Sequence, residues 1–105
     1  MMKRTALLFA GQGSQTVGMG RDLCSKFDVC RNLFGRANDV LARDITAICF
    51  TGPDEVLTRT DNAQPAIFLT SLACLEALKS QVPGLAFDAT AGLSLGEFTA
   101  LVAAD

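Results

Sequence analysis

Gly92-Leu93-Ser94-Leu95-Gly96 sets a serine between two glycines in a G-x-S-x-G pattern. A serine presented this way is a candidate nucleophile for acyl chemistry, provided that a sharp strand-to-helix turn holds its hydroxyl outward. The flanks predict that setting: residues 85–91 read as extended and residues 97–104 as helix. Glycines on either side let the backbone pass where side chains would collide. The hydroxyl then stands at a helix N-terminus, where free N–H groups and the dipole favour developing negative charge. The plainer alternative is a glycine-bounded turn whose serine merely caps a helix.

A serine hydroxyl is a weak nucleophile and needs an adjacent base, most often imidazole. The chain has no histidine. Either a lysine takes that place, or the base belongs to sequence outside these 105 residues. A second chemical candidate is Gly11-Gln12-Gly13-Ser14-Gln15, at the carboxyl end of a predicted strand, where open α/β sheets place their ligands. As a dinucleotide loop it departs from the fingerprint, with Thr16 in the sixth position counted from Gly11. A Walker loop is excluded, because no Gly-Lys-Ser/Thr follows. A flexible strand–helix turn remains one reading. Another joins this loop to the serine: an oxyanion needs two converging N–H donors, one from the residue after the nucleophile, Leu95, and one from a neighbouring loop.

These groups need elements to hold them. The pattern predicts a buried strand at Ala6–Phe9, a helix over residues 21–27, and a second helix capped by Asp28. A short turn around Ile45, Ile48 and Cys49 ends at Gly52-Pro53, and Asp54–Thr58 adds another. Asn62-Ala63-Gln64-Pro65 then opens a long helix over residues 65–82, apolar on most sides and expected to lie against the sheet. Pro83-Gly84 ends it. The fold class is α/β, with two parallel strands joined by connecting helices. Two strands are few for a stable sheet, and the last helix has no stop signal before Asp105, so the chain is expected to be a fragment whose sheet continues elsewhere. No boundary divides residues 1–105.

Composition excludes several classes. Nine basic against eleven acidic residues, a net charge of −2 and no cluster of either sign argue against nucleic-acid binding. No apolar run approaches the roughly 20 residues that span a bilayer. The Met1-Met2-Lys3-Arg4 lead imitates a signal peptide, but the apolar core after it is too short and Gly11-Gln12-Gly13 follows where a cleavage site belongs. Cys24, Cys30, Cys49 and Cys74 lack metal-ligand spacing and fall on expected apolar helix faces, so they read as buried free thiols of a cytoplasmic protein, with no metal.

Three stretches together resemble the N-terminal part of malonyl-CoA:acyl carrier protein transacylases: residues 8–15 with Val17-Gly18-Met19-Gly20, then Asn62-Ala63-Gln64-Pro65-Ala66, then Gly92-Leu93-Ser94-Leu95-Gly96-Glu97. The resemblance runs through the whole chain but covers about the first third of such an enzyme. It implies an incomplete α/β-hydrolase-like large subdomain, with a smaller ferredoxin-like subdomain inserted beyond residue 105. It also implies ping-pong acyl transfer in fatty acid biosynthesis: Ser94 takes malonyl from coenzyme A as an ester and passes it to acyl carrier protein. Gln12 and Leu95 would supply the oxyanion N–H groups, and Gln64 would shape the polar network around the substrate. Malonyl-CoA is a substrate, and no cofactor is implied. The family's base, a histidine, and its carboxylate-binding arginine lie past Asp105, so the isolated chain is expected to be inactive. One departure is local: the family usually carries histidine just before the nucleophile, where this chain has Leu93. A serine hydrolase such as a thioesterase or lipase shares the serine turn without explaining the Gln12 and Gln64 motifs. A non-catalytic remnant shares every motif.

Overall fold

A strand, a long helical excursion and a second strand set the chain's order. The computed structural model describes residues 4–104. The elements are β1 (Ala6–Phe9), α1 (Arg21–Lys26), α2 (Asp28–Leu41), α3 (Ile45–Thr51), α4 (Asp54–Thr58), α5 (Thr60–Gln81), β2 (Ala89–Gly92) and α6 (Gly96–Ala104). The two strands pair in parallel, Ala6 opposite Ala89 through Phe9 opposite Gly92. At their amino ends Thr5 and Asp88 close a reciprocal pair of 2.8 Å bonds: the Thr5 N–H donates to the Asp88 carboxylate, and the Asp88 N–H to the Thr5 carbonyl. The α/β class with two parallel strands and connecting helices therefore holds.

The core lies among the helices. Phe34 of α2, Ile45 and Cys49 of α3, and Leu57 of α4 are fully buried against the α5 face that carries Ala66, Leu69, Ala73 and Ala77. Small residues on that face let α2 approach closely, and the Cys30 thiol donates to the Ala73 carbonyl at 3.3 Å. Sequence reasoning placed this helix against the sheet. Ser71, Cys74, Leu75 and Leu78 do border β1 across a shared cavity, and the rest of the helix's apolar surface is covered chiefly by α2, α3, α4 and α6.

Other expectations are corrected in detail. The long helix begins at Thr60 and carries Pro65 inside it. Proline has no N–H for the carbonyl four residues back, and the Arg43 guanidinium donates to that Asp61 carbonyl. The same arginine pairs with the Asp61 carboxylate at 3.7 Å. The break that Pro65 signals is thus repaired from outside the helix. Asp28 does not cap α2: extended Phe27 holds the cap position, and Asp28 pairs with Arg31 one turn on. Strand β2 starts at Ala89, later than the extended run suggested. β1 is not buried, since Ala6 and Leu8 are exposed and Leu8 is 79% accessible. Side chains alternate across a strand, and the described residues cover only one side of this sheet. Cys24, Cys30 and Cys49 are buried free thiols as expected, whereas Cys74 is a free but exposed one. No helix among the described residues is long and apolar enough to cross a membrane. Lys3 and Asp105, which entered the signal-peptide and chain-end arguments, lie outside the described residues.

Candidate active site

Parallel pairing puts both candidate loops at the same edge of the sheet. Phe9 stands opposite Gly92, so two residues further along each strand Gly11 comes level with Ser94. The approach is very close. A Cβ on Gly11 would lie 2.2 Å from the Leu93 carbonyl oxygen and 3.5 Å from the Ser94 Cβ. The Leu93 N–H donates to the Phe9 carbonyl at 3.3 Å, tying the turn that carries Ser94, the elbow between β2 and α6, to the end of β1.

The glycines that bracket Ser94 have distinct steric reasons. A Cβ on Gly92 would lie 2.0 Å from the backbone of Gly96, because the chain turns back on itself there. A Cβ on Gly96 would lie 2.2 Å from the Phe9 carbonyl oxygen, because α6 starts directly on β1. Ser94 itself has φ 56, one of two non-glycine residues with positive φ among those described. That left-handed conformation is costly for a residue with a side chain and persists only where surroundings enforce it. Here the two glycine contacts enforce it. Ser94 is exposed, so its hydroxyl faces outward from the turn between β2 and α6.

The turn's own hydrogen bonds come from Gly96, Glu97 and Phe98, donating to Leu93, Ser94 and Leu95 at 3.0 Å each. The Leu95 N–H takes no part in them. It sits just before the first residue of α6, where the helix dipole favours negative charge. Across from it, loop 11–15 is braced internally. Ser14 donates from its N–H at 3.3 Å and from its hydroxyl at 2.6 Å to the Gly11 carbonyl, and the Gly13 N–H donates to the Gln15 side chain at 2.8 Å. The Gln12 N–H is in none of these bonds.

Gln12 and Gln64, far apart in sequence, meet here. The Gln64 amide donates to the Gln12 side-chain oxygen at 3.5 Å, and the Gln12 amide donates to the Thr60 hydroxyl at 3.3 Å. Thr60 went unremarked in the sequence. Its signal was available only once the helix start was known, because Thr60 and Gln64 stand four residues apart on one helix face. Leu93, beside the nucleophile candidate, is 77% exposed.

A histidine base is excluded, since the sequence holds none. The lysine alternative gains nothing from Lys79, which pairs with Glu76 at 3.5 Å in the last turns of α5. It lies about 28 Å along the helix axis from Thr60, at about 1.5 Å rise per residue. Lys26 closes α1, a helix packed on α2 and α5. Of the arginines, Arg31 pairs with Asp28, Arg43 and Arg59 pair with Asp61, and Arg21 lies over the Phe50 ring. Among the described residues no group of histidine, cysteine and carboxylate side chains could hold a metal ion.

The acyl transferase domain model matches residues 6–105. The malonyl CoA-acyl carrier protein transacylase of Bacillus subtilis (strain 168) is 47% identical over 103 residues, which cover 98% of this chain and 32% of that protein. A human mitochondrial malonyl-CoA-acyl carrier protein transacylase is 47% identical over 93% of this chain and 25% of its own length. Among solved structures, an acyl-carrier-protein S-malonyltransferase from Bartonella henselae superposes with a TM-score of 0.91 at 40% identity, over 97% of this chain and 33% of that one. A malonyl-transacylase in complex with its type II PKS acyl carrier protein superposes with a TM-score of 0.88 at 41% identity, over 95% of this chain and 32% of that one. This chain thus spans about a third or less of the length of these relatives.

Proposed function

The chain belongs to the acyl transferase domain family, and from that premise we propose that it is the nucleophile-bearing part of a malonyl-CoA:acyl carrier protein transacylase of fatty acid biosynthesis. The observation that carries the proposal is the left-handed Ser94 on a turn packed against Gly11. Such a turn is costly, and its one evident use is to present a hydroxyl.

In this reading the Ser94 oxygen attacks the malonyl thioester carbonyl. Its proton passes to a base, and the carbonyl π electrons move onto oxygen. The N–H groups of Gln12 and Leu95 receive that oxyanion, a contribution worth roughly 2.7–4 kcal/mol per donor in comparable sites. Collapse expels coenzyme A as the thiol, with the base returning the proton, and leaves malonyl esterified to Ser94. The pantetheine thiol of acyl carrier protein then attacks the ester, and the same proton path runs in reverse. Gln64 contributes through its bond to Gln12. The base and the cation that holds the malonyl carboxylate come from residues outside these 105. The isolated chain is accordingly inert or nearly so, because a serine site without its base keeps only about 10³–10⁴-fold over water. Free thiols favour a cytoplasmic setting.

The test is a chimera in which this chain replaces the matching 103 residues of the Bacillus subtilis relative. With radiolabelled malonyl-CoA the chimera is expected to acquire protein-bound label and pass it to acyl carrier protein, and Ser94→Ala to acquire none. Label that survives Ser94→Ala refutes the role of Ser94. Steady release of free malonate without carrier protein favours a hydrolase, and a folded chimera that never labels favours a remnant without catalysis. Labelling by the isolated chain at the chimera's rate would refute the need for an external base.

A further inference from the structure

The peptide that carries the Gln12 N–H is held within its own loop, where the Gly11 carbonyl accepts from the Ser14 N–H at 3.3 Å and from the Ser14 hydroxyl at 2.6 Å. Gly13, after it, has φ 104 and donates its N–H to the Gln15 side chain. On the other side Gly11 is pinned by the Leu93 carbonyl. An N–H that is to meet an oxyanion at hydrogen-bond distance needs its peptide plane fixed relative to the rest of the site as well, and the side chain is a second handle, reaching outside the loop.

That handle is gripped by α5. The Gln12 amide donates to Thr60 at 3.3 Å, and its oxygen accepts from Gln64 at 3.5 Å. The two partners differ in stiffness. Gln64 is exposed and long, with several rotatable bonds, whereas the β-branched side chain of Thr60 has few rotamers. The helix turn beneath them is itself anchored. The buried Asn62 donates to the Val56 carbonyl at 2.9 Å, and Arg43 donates to the carbonyl of Asp61 while pairing with its carboxylate. Resting on the transacylase reading above, we infer that Thr60 is a positioning residue: its hydroxyl fixes the Gln12 side chain and thereby aims the Gln12 N–H at the oxyanion formed over Ser94.

The test uses the active chimera with the Bacillus subtilis relative, in single-turnover formation of the malonyl-enzyme ester. Thr60→Val keeps the shape and removes the hydroxyl, and Thr60 is exposed, so the fold is expected to tolerate it. Loss of one neutral hydrogen bond predicts an ester-forming rate about 3- to 10-fold slower, with the malonyl-CoA KM and the melting temperature unchanged. Thr60→Ser is expected to restore the rate. In a Gln12→Ala background Thr60→Val is expected to cost nothing more, because the side chain it holds is gone. The inference is overturned if Thr60→Val matches the parent, if Thr60→Ser is as slow as Thr60→Val, or if the loss persists undiminished without the Gln12 side chain. A lowered melting temperature and rate that Thr60→Ser does not restore overturns it too. Failure of the parent chimera to form any ester is a different result: it removes the acyl-transfer reading, and this inference with it.

Discussion

Gly96→Ala in the chimera is a direct probe of how the elbow is held. Gly96 is buried as the first residue of α6, and its φ is not in the left-handed region, so alanine is acceptable to the backbone dihedrals there. Helix propensity alone would reward the change by up to about 1 kcal/mol. The contact opposes it. The new methyl would lie 2.2 Å from the Phe9 carbonyl oxygen, 2.9 Å from the Phe9 carbonyl carbon and 3.0 Å from the Ala10 carbonyl oxygen. All three are backbone atoms, so no rotamer change relieves the overlap, and α6 must back away from β1 by about 1 Å. Overpacking of this kind typically costs 1–3 kcal/mol. It also moves Leu95 away from loop 11–15, separating the two candidate donors, and a shift of about 1 Å is enough to slow chemistry on the order of 100-fold. We therefore expect net destabilisation of about 1–2 kcal/mol, read as a lower midpoint in urea, with malonyl-ester formation falling much further. Gly35→Ala is the matched control. Gly35 lies inside α2, and beyond its own stretch of helix no atom comes within 4 Å of where its Cβ would be, so the same chemical change there should stabilise by about 0.5–1 kcal/mol and leave the rate alone. Equal midpoints for Gly96→Ala and the parent, with equal rates, would refute the steric account of the turn.

Two further outcomes follow from surface and charge. Leu8, Leu93, Phe98 and Leu101 are between 64% and 79% exposed, so the isolated chain is expected to self-associate at micromolar concentration. A concentration-independent monomer in sedimentation velocity would contradict this, and Leu8→Lys with Leu101→Lys should reduce the association. Burial pushes the Cys49 thiol up from 9.0 to about 11, with Cys24 nearby adding to the shift. The folded state holds that proton more tightly than the unfolded state, so the stability linked to it is intact below pH 9 and is lost as pH rises through about 11. Cys49→Ala should flatten the chimera's urea midpoint across that window, and an unchanged slope would refute the assignment.

The sequence alone determined the parts. Glycine spacing around Ser94 announced a turn that only small residues permit, and Gly11-Gln12-Gly13 announced a loop at a strand end. Both are local steric demands, written into neighbouring residues. Strand β1 and helix α4 were legible to the residue, because Gly11 closely follows the one and Gly52-Pro53 precedes the other. Where local signals competed with distant partners, the sequence misled. Pro65 read as the start of a helix that in fact begins at Thr60, since nothing near it says that Arg43 will take the carbonyl proline leaves free. The apolar strand β1 read as buried, since hydrophobicity does not reveal which neighbours are present to cover it. Only the tertiary structure decided that Gly11 comes level with Ser94, through the parallel register of β1 and β2, and that Thr60 and Gln64 close on Gln12. Those contacts join residues about 50 to 80 positions apart, and such pairings are fixed by how whole elements pack, which no local window of sequence contains.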